Sequence, residues 1–242
     1  MGCNCLEVPG FKIVEYFDNE KTSVTGFLAV NEAALEIVIA FRGSRTFKNW
    51  LYNLYASKRS VPWRLHCFGL KSPKVHQGFF LAYESVRMDV LAMAQRWLKR
   101  YPRYSIHVTG HSLGGALATI CAMELNDILS FKTRIRFTTF ESPRIGNEAF
   151  ARLVHYHFPD PHDRIRVTHG RDIVTRLPPY FMGFRHAAME VFIPPQATYN
   201  MTGLLCDATS GEDSRCANAY VAYSIDDHLA LPWGIDFGVP CK

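Results

Sequence analysis

The strongest constraint on the fold is an alternation of strand-forming and helix-forming segments between residues 104 and 168. The strand segments are rich in β-branched and aromatic residues, whereas the segments between them repeat apolar residues every three or four positions. Chains that alternate in this way form a mostly parallel central sheet with right-handed connections and helices on both faces. The predicted order is strand Tyr104–Thr109, helix Leu113–Ile128, strand Ile135–Phe140, helix Asn147–His157 and strand Arg164–Thr168.

The preceding segments extend this sheet. Three strand-like runs, Phe11–Phe17, Ser23–Val30 and Leu35–Phe41, follow one another without helices and predict an antiparallel edge. A long amphipathic helical pattern then covers about Phe79 to Tyr101. The sequence has no internal repeat or linker, and a length of 242 residues suits one α/β domain. We therefore predict a single domain over residues 1–242.

Charge and hydropathy exclude several classes of protein. The net charge is only +5, and the basic residues are scattered, so we expect no nucleic-acid partner. The longest apolar runs have strand length, well below the roughly 18 residues that a membrane-spanning helix needs. No apolar signal core follows Met1, so we expect a mature domain without a signal peptide.

The seven cysteines favour an oxidising compartment, and hence a secreted protein. Cys206 and Cys216 bracket a short polar loop and form a reasonable disulfide pair. Cys241 lies near the end of the sequence, where a disulfide partner could anchor it, whereas Cys121 lies in an apolar helix and is expected to be a buried free thiol. The sequence contains neither a CxxC pair nor HExxH, so we expect no metal and no other cofactor.

One predicted strand-to-helix junction has the sequence context of a nucleophile. Residues 110–114 are Gly-His-Ser-Leu-Gly, a GxSxG pattern that places serine on a sharp turn with its hydroxyl exposed at the carboxyl end of the sheet. The glycines permit close packing of strand and helix, and the start of the helix points N–H groups at an oxyanion. Ser112 is therefore the candidate nucleophile; the alternative is a glycine-rich turn with a bystander serine.

A serine nucleophile needs a base, and the base needs a carboxylate that fixes its tautomer. Asp172 follows the last predicted strand, at the sheet edge where catalytic groups collect, whereas Asp160 and Asp163 precede that strand. His186 and His228 are both loop candidates for the base. The residues alone do not decide between these two histidines.

A short amphipathic segment follows the third predicted strand. Within residues 45–54, Phe47, Trp50, Leu51 and Leu54 recur at the spacing of one helix face. From this spacing alone, an ordinary helix packed on the core is the simpler interpretation.

Eight blocks of sequence occur in an order typical of a known family. They are Ile39–Ser44, Asn49–Leu51, Val75–Phe79, Gly110–Gly115, Ser142–Asn147, Asp172–Val174, Leu177–Pro179 and Asp227–Leu229. With these blocks the chain resembles the fungal-type class 3 lipases, which are secreted triacylglycerol lipases with related feruloyl esterases. The resemblance extends from about Lys12 to Cys241.

The resemblance implies a single α/β-hydrolase-like domain and a role for each candidate residue. Ser112 would be the nucleophile, Asp172 the orienting acid and His228 the base, which decides between the two histidines. The backbone N–H and hydroxyl of Ser44 and the N–H of Leu113 would form the oxyanion hole. The implied reaction is hydrolysis of acylglycerols or other fatty-acid esters at a lipid–water interface, through an acyl-enzyme.

The resemblance also implies that residues 45–54 form a lid whose apolar face covers the site in water and meets lipid when open. Ile173, Val174 and Leu229 would then line an acyl-chain groove, although a core role suits each of them equally. The N-terminal helix of the family is shortened here, which makes Cys3 and Cys5 alternative partners of Cys241.

Two other functions compete with this interpretation. A feruloyl-type or short-chain soluble esterase would share the three catalytic residues, but such enzymes prefer a polar flap to the apolar lid face. A non-catalytic lipid-binding module is opposed by the complete set of serine, histidine and aspartate. We expect a monomer that meets a lipid surface only transiently.

Overall fold

The computed structural model describes residues 9–43, 57–62, 72–129, 132–198, 202–221 and 223–237. Several predicted features lie outside these residues: Ser44, the lid segment 45–54 with its four apolar residues, and the cysteines at positions 3, 5 and 241.

The strands form one large sheet and two small ones among the described residues. The strands are β1 (Lys12–Asn19), β2 (Val24–Asn31), β3 (Glu36–Phe41), β4 (Lys58–Ser60), β5 (Lys74–His76), β6 (Ser105–His111), β7 (Ile135–Phe140), β8 (Arg164–His169), β9 (Met189–Ile193), β10 (Leu204–Leu205), β11 (Ala230–Leu231) and β12 (Ile235–Asp236). The large sheet has the order β1-β2-β3-β6-β7-β8-β9-β10.

The direction of the strands confirms the predicted architecture. β3, β6, β7, β8 and β9 are parallel, whereas β1 and β2 form an antiparallel edge and β10 pairs antiparallel with β9. The sequence analysis omitted β9 and the β4–β5 hairpin, because runs of three to five residues carry too little periodicity to separate strand from loop. In the parallel core, all carboxyl ends face the same edge of the sheet.

The described helices are α1 (Gln77–Glu84), α2 (Arg87–Arg100), α3 (Leu113–Leu129), α4 (Glu148–His157) and the four-residue α5 (Asp226–Leu229). α3 packs on β6 and β7 and is buried on every side from Gly114 to Leu125. None of the described helices combines the length and apolarity that crossing a membrane requires.

The single helix predicted from about Phe79 to Tyr101 is wrong, because the structure divides it into α1 and α2. At the junction, Val86 leaves the helical region with φ −122° and ψ 0°. The Ser85 carbonyl accepts a hydrogen bond from the Asn19 side chain at 3.1 Å. Val86 nevertheless remains buried on the face that packs against the core. The hydrophobic period therefore continues through the break and conceals it.

The glycines of the GxSxG motif lie where strand, turn and helix approach most closely. A Cβ placed on Gly114 would lie 2.2 Å from the carbonyl oxygen of Phe41, and one on Gly110 would lie 2.3 Å from the carbonyl oxygen of Gly114. Both contacts are with backbone atoms that no side-chain rotation can move. These glycines allow α3 to begin directly against β3 and β6.

We expect Gly114→Ala to destabilise the protein by more than about 4 kcal/mol, since the added methyl group must displace β3 or α3. The free energy of unfolding in urea, or loss of soluble protein, measures the effect. Gly78→Ala is the matched control: it adds the same methyl group to α1, where it meets only the His76 side chain at 3.0 Å, and should change stability by no more than about 1 kcal/mol. Equal effects of the two substitutions would contradict this packing argument.

Candidate active site

Ser112 lies on the tight turn between β6 and α3. Its φ of +57° is in the left-handed region, a strained conformation for a serine. Its backbone N–H donates to the Phe140 carbonyl at 2.9 Å, which joins the turn to the end of β7. The side chain is only 3% exposed, and its hydroxyl has no hydrogen-bond partner among the described residues. The hydroxyl is therefore at the predicted edge of the sheet but is covered, not exposed as the motif alone predicts.

His228 lies on α5, and its ring is completely buried. Its Nδ1 is 2.9 Å from Oδ2 of Asp172. Because a carboxylate accepts, Nδ1 carries the proton in this pair, and Nε2 is the nitrogen with the lone pair in the neutral ring. The His228 ring also lies 4.6 Å from the ring of His111, the residue that precedes Ser112. The structure therefore brings the predicted base to the turn that carries the serine.

The Asp172 carboxylate is held from two sides. Its Oδ1 accepts a hydrogen bond from the backbone N–H of Val174 at 2.8 Å, and Oδ2 faces His228. The Thr175 hydroxyl donates to the Asp172 carbonyl at 2.9 Å, which fixes the backbone of the same turn. With 1% exposure, this carboxylate keeps a single orientation toward the imidazole.

Asp227 attaches the His228-bearing helix to the turn that bears Asp172. Its Oδ2 accepts from the backbone N–H of Arg171 at 2.7 Å, and its Oδ1 accepts from the Ser224 hydroxyl at 2.8 Å. A Cβ on Gly170 would lie 2.2 Å from Asp227 Oδ2. Gly170 also has a φ of +54°, so the turn combines left-handed backbone with a close approach that glycine permits.

His111 contacts the backbone of His228, the predicted base. Its Nε2 donates to the His228 carbonyl at 2.8 Å, and its ring stacks on Phe237 with centroids 4.0 Å apart. Burial, followed by the proximity of His228, lowers the pKa of His111 from 6.5 to about 3. His111 is therefore neutral at any working pH and serves as a fixed hydrogen-bond donor.

We expect the free energy of unfolding to decrease as the pH falls from about 6.5. The lowered pKa of His111, and that of buried His186, which lies well below 6.5, mean that the unfolded chain binds more protons than the folded protein. Stability is therefore fully present above pH 6.5 and is lost as the pH falls toward the folded pKa. His111 should contribute about 2 kcal/mol to the loss between pH 7 and pH 5, and His186 should contribute in the same direction. Urea unfolding at the two pH values measures the loss, which His111→Phe should reduce; an unchanged pH dependence would contradict the assignment.

Comparison with known proteins gives the family of the chain. The family described as "Lipase (class 3)" matches residues 38–182, which include the Ser112 turn and Asp172. The chain belongs to the class 3 lipase family.

Individual members of the class 3 lipase family match most of the chain. A "Lipase" of Rhizomucor miehei is 32% identical over 240 residues, covering 98% of this chain and 62% of that protein. "Secreted mono- and diacylglycerol lipase 1" of Fusarium solani is 31% identical, with coverages of 97% and 71%. A solved triacylglycerol lipase described as having a serine protease triad superposes with a TM-score of 0.82 at 33% identity, covering 95% of this chain and 83% of that one. The chain thus spans less than two thirds of the Rhizomucor relative.

The other candidate residues fall into three groups. His186, the alternative base, is used elsewhere: its Nε2 donates to the Thr175 carbonyl at 2.8 Å. Ile173 and Leu229 are half-buried next to Asp172 and His228, whereas Val174 is fully buried. Leu113 is the first residue of α3, where N–H groups have no partner within the helix.

The predicted pair Cys206 and Cys216 is a disulfide, with Cα atoms 6.3 Å apart. Cys121 is a buried free thiol on α3, as expected. Among the described residues, two trios have the spacing of metal ligands. One trio contains Glu190 and the two cysteines of the disulfide, whose sulfurs are bonded to each other. The other trio consists of Glu141, Asp172 and His228.

The sequence analysis missed three residues of the candidate site: His111, Asp227 and Glu141. Each of the first two directly precedes a candidate catalytic residue, but nothing in the sequence shows its contacts. A signal for Glu141 was present. It directly follows β7, just as Asp172 follows β8, so the criterion that selected Asp172 applies to it as well.

Proposed function

We propose that this protein is a serine hydrolase that cleaves acylglycerols or other fatty-acid esters at a lipid–water interface through an acyl-enzyme. The observation that carries the proposal is the 2.9 Å contact between His228 Nδ1 and Asp172, with the His228 ring beside the Ser112 turn. A buried acid, an oriented imidazole and a strained serine turn together suit acyl transfer. The mono- and diacylglycerol lipase and triacylglycerol lipase relatives support this substrate class.

In the proposed reaction, Ser112 attacks the ester carbonyl while His228 takes the hydroxyl proton. Asp172 keeps the proton of the imidazole on Nδ1 and stabilises the imidazolium that forms. His228 then gives the proton to the leaving alcohol, which departs. A water molecule, deprotonated by the same base, attacks the acyl-enzyme and releases the fatty acid.

The developing oxyanion requires donors beside the serine, and we assign this role to the N–H groups of Leu113 and Ser44 and to the Ser44 hydroxyl. The position of Leu113 at the start of α3 supports the first assignment. For the second, a Cβ on Gly43 would lie 3.5 Å from the Ser112 Cβ, so the chain that leads into Ser44 passes beside the nucleophile.

The burial of Ser112 supports interfacial activation. With 3% exposure, the side chain must be uncovered before an ester can reach it. The apolar face predicted from the sequence of residues 45–54 would suit a cover that opens onto lipid, because exposing a few hundred Å² of apolar surface in water costs several kcal/mol at about 25 cal/mol per Å². Ile173, Val174 and Leu229 are proposed to line the acyl groove.

We further propose that the protein acts outside the cell, as a monomer. The Cys206–Cys216 disulfide and the secreted Fusarium relative support the extracellular location. The Cys241 pair, with Cys3 or Cys5 as the partner, is part of the same proposal.

The function is tested by measuring hydrolysis of esters with increasing chain length, below and above the solubility limit of each. We expect a steep rise in rate when an emulsion forms, because the interface stabilises the open lid. The same rate on dissolved and emulsified ester, with preference for short or aromatic acyl groups, would favour a soluble esterase of the feruloyl type. No hydrolysis, together with no labelling by a serine-directed phosphonate in detergent, would contradict both enzymes.

A further inference from the structure

A second buried carboxyl group adjoins the His228–Asp172 pair. Glu141 follows β7 and is 0% exposed. One of its carboxyl oxygens, one Asp172 oxygen and one ring nitrogen of His228 all lie within 4.8 Å of one another. Neither Glu141 oxygen has a hydrogen-bond partner among the described residues. The carboxyl therefore faces the pair, with the backbone at His169 as a further polar neighbour.

The fold accommodates Glu141 at a considerable energetic cost. Its φ is +49°, a left-handed conformation that is unfavourable for a residue with a side chain. Burial also removes the carboxyl group from water, which is unfavourable for a polar group that makes no well-formed hydrogen bond. Strain and unpaired burial on one residue are typical of functional positions, because neither improves packing.

The charged and titratable surroundings of Glu141 favour its neutral form. Burial, and next the negative charge of Asp172, raise the pKa of Glu141 well above its ordinary range of about 4.5, while Arg166 and the backbone at His169 oppose the shift only in part. Arg166 is itself paired with Glu190, at 3.2 Å. Burial and the neighbouring negative charge therefore both favour the protonated, neutral form of Glu141.

We propose that Glu141 is a second acid of this site, a positioning residue that orients His228 when Asp172 cannot. In the native protein its neutral carboxyl points a proton at the Asp172 carboxylate. When Asp172 is removed, Glu141 ionises and accepts the Nδ1 proton of His228 in its place. This inference rests on the proposed ester hydrolysis and deepens it.

The test is a double-mutant cycle in the full chain, assayed by kcat on an emulsified ester. Asp172→Ala should reduce kcat by about 10², and Asp172→Ala with Glu141→Gln by about 10⁴, the loss seen when a triad loses its acid completely. With Asp172 in place, Glu141→Gln should reduce kcat by less than about tenfold, because glutamine keeps a donor for the carboxylate.

The matched control combines Asp172→Ala with Glu36→Gln. Glu36 is also a buried carboxylate, 4% exposed, but it lies at the opposite end of the sheet, where it pairs with Arg136. This variant should match Asp172→Ala. If Asp172→Ala fails to fold, Asp172→Ser replaces it in every arm, because serine is short enough to leave Nδ1 of His228 open and its hydroxyl can still accept from the Val174 N–H.

A pH profile separates orientation of the base from a structural role. In Asp172→Ala, Glu141 should add a second ionisation to the acid limb of kcat/KM, beyond protonation of the base itself, and this added ionisation should disappear when Glu141→Gln is introduced. Equal activity of the folded single and double variants would overturn the inference. A wild-type protein without esterase activity would instead overturn the proposed function, so the two failures are distinguishable.

Discussion

Ser112→Ala should lower kcat for ester hydrolysis by about 10⁶, the cost of removing the nucleophile from a serine triad. The hydroxyl is small and makes no hydrogen bond among the described residues, so its removal leaves the fold intact. We therefore expect an unchanged thermal midpoint together with the loss of nearly all turnover. The residual rate should come from the oxyanion donors and substrate binding alone.

Ser142→Ala is the matched control for this experiment. Ser142 is also buried, at 1% exposure, and lies close to the same motif: a Cβ on Gly115 would be 2.9 Å from its Cβ. It should keep kcat within about threefold, because it lacks an oriented base. A Ser112→Ala protein that hydrolyses a long-chain ester at a rate comparable to the wild type would disprove the assignment of the nucleophile.

His228→Ala should lower kcat by a similar factor of about 10⁶, since serine without its base is a weak nucleophile. The effects of Ser112→Ala and His228→Ala on kcat should not be additive. The variant that lacks both Ser112 and His228 should be no slower than either single variant, because the two side chains act as one unit. Kinetics of the three variants on one ester measure this directly.

His186→Gln provides the contrast for His228→Ala. This histidine is also buried and was the alternative base, but its Nε2 donates to the Thr175 carbonyl. The side-chain amide of glutamine can supply the same hydrogen bond. The main effect of His186→Gln should be a lower free energy of unfolding, with kcat largely retained. A loss of kcat in folded His186→Gln as large as that in His228→Ala would reverse the choice between the histidines.

The order of strands and helices was predictable where long segments alternate, as from β6 to β8. It was not predictable at Val86, where a buried side chain keeps the helical period although the backbone has left the helix. Nor was it predictable at β9, whose five residues are fewer than two turns of a helix. In both places long-range packing decides the structure, and a local pattern does not contain that information.

The candidate site was predictable to the extent that motif and strand ends could locate it. Ser112 and Asp172 follow strands, and a single criterion selects both. The base could not be chosen in this way, because α5 belongs to no strand–helix alternation, and the resemblance to class 3 lipases was needed to prefer His228. Glu141 shows the opposite limitation: the strand-end criterion applied to it, but only the structure shows that its carboxyl faces the other two residues.

The Asp227 attachment has a consequence for how activity is lost. The imidazole is delivered by a four-residue helix whose hold on the neighbouring turns consists of a few hydrogen bonds, including 2.7 Å from Arg171 and 3.2 Å from His169. The parallel strands are secured far more firmly. Mild heat or low denaturant should therefore abolish turnover by local detachment of α5, while the β-sheet stays folded. Cooling or removing the denaturant should restore turnover without refolding of the whole chain.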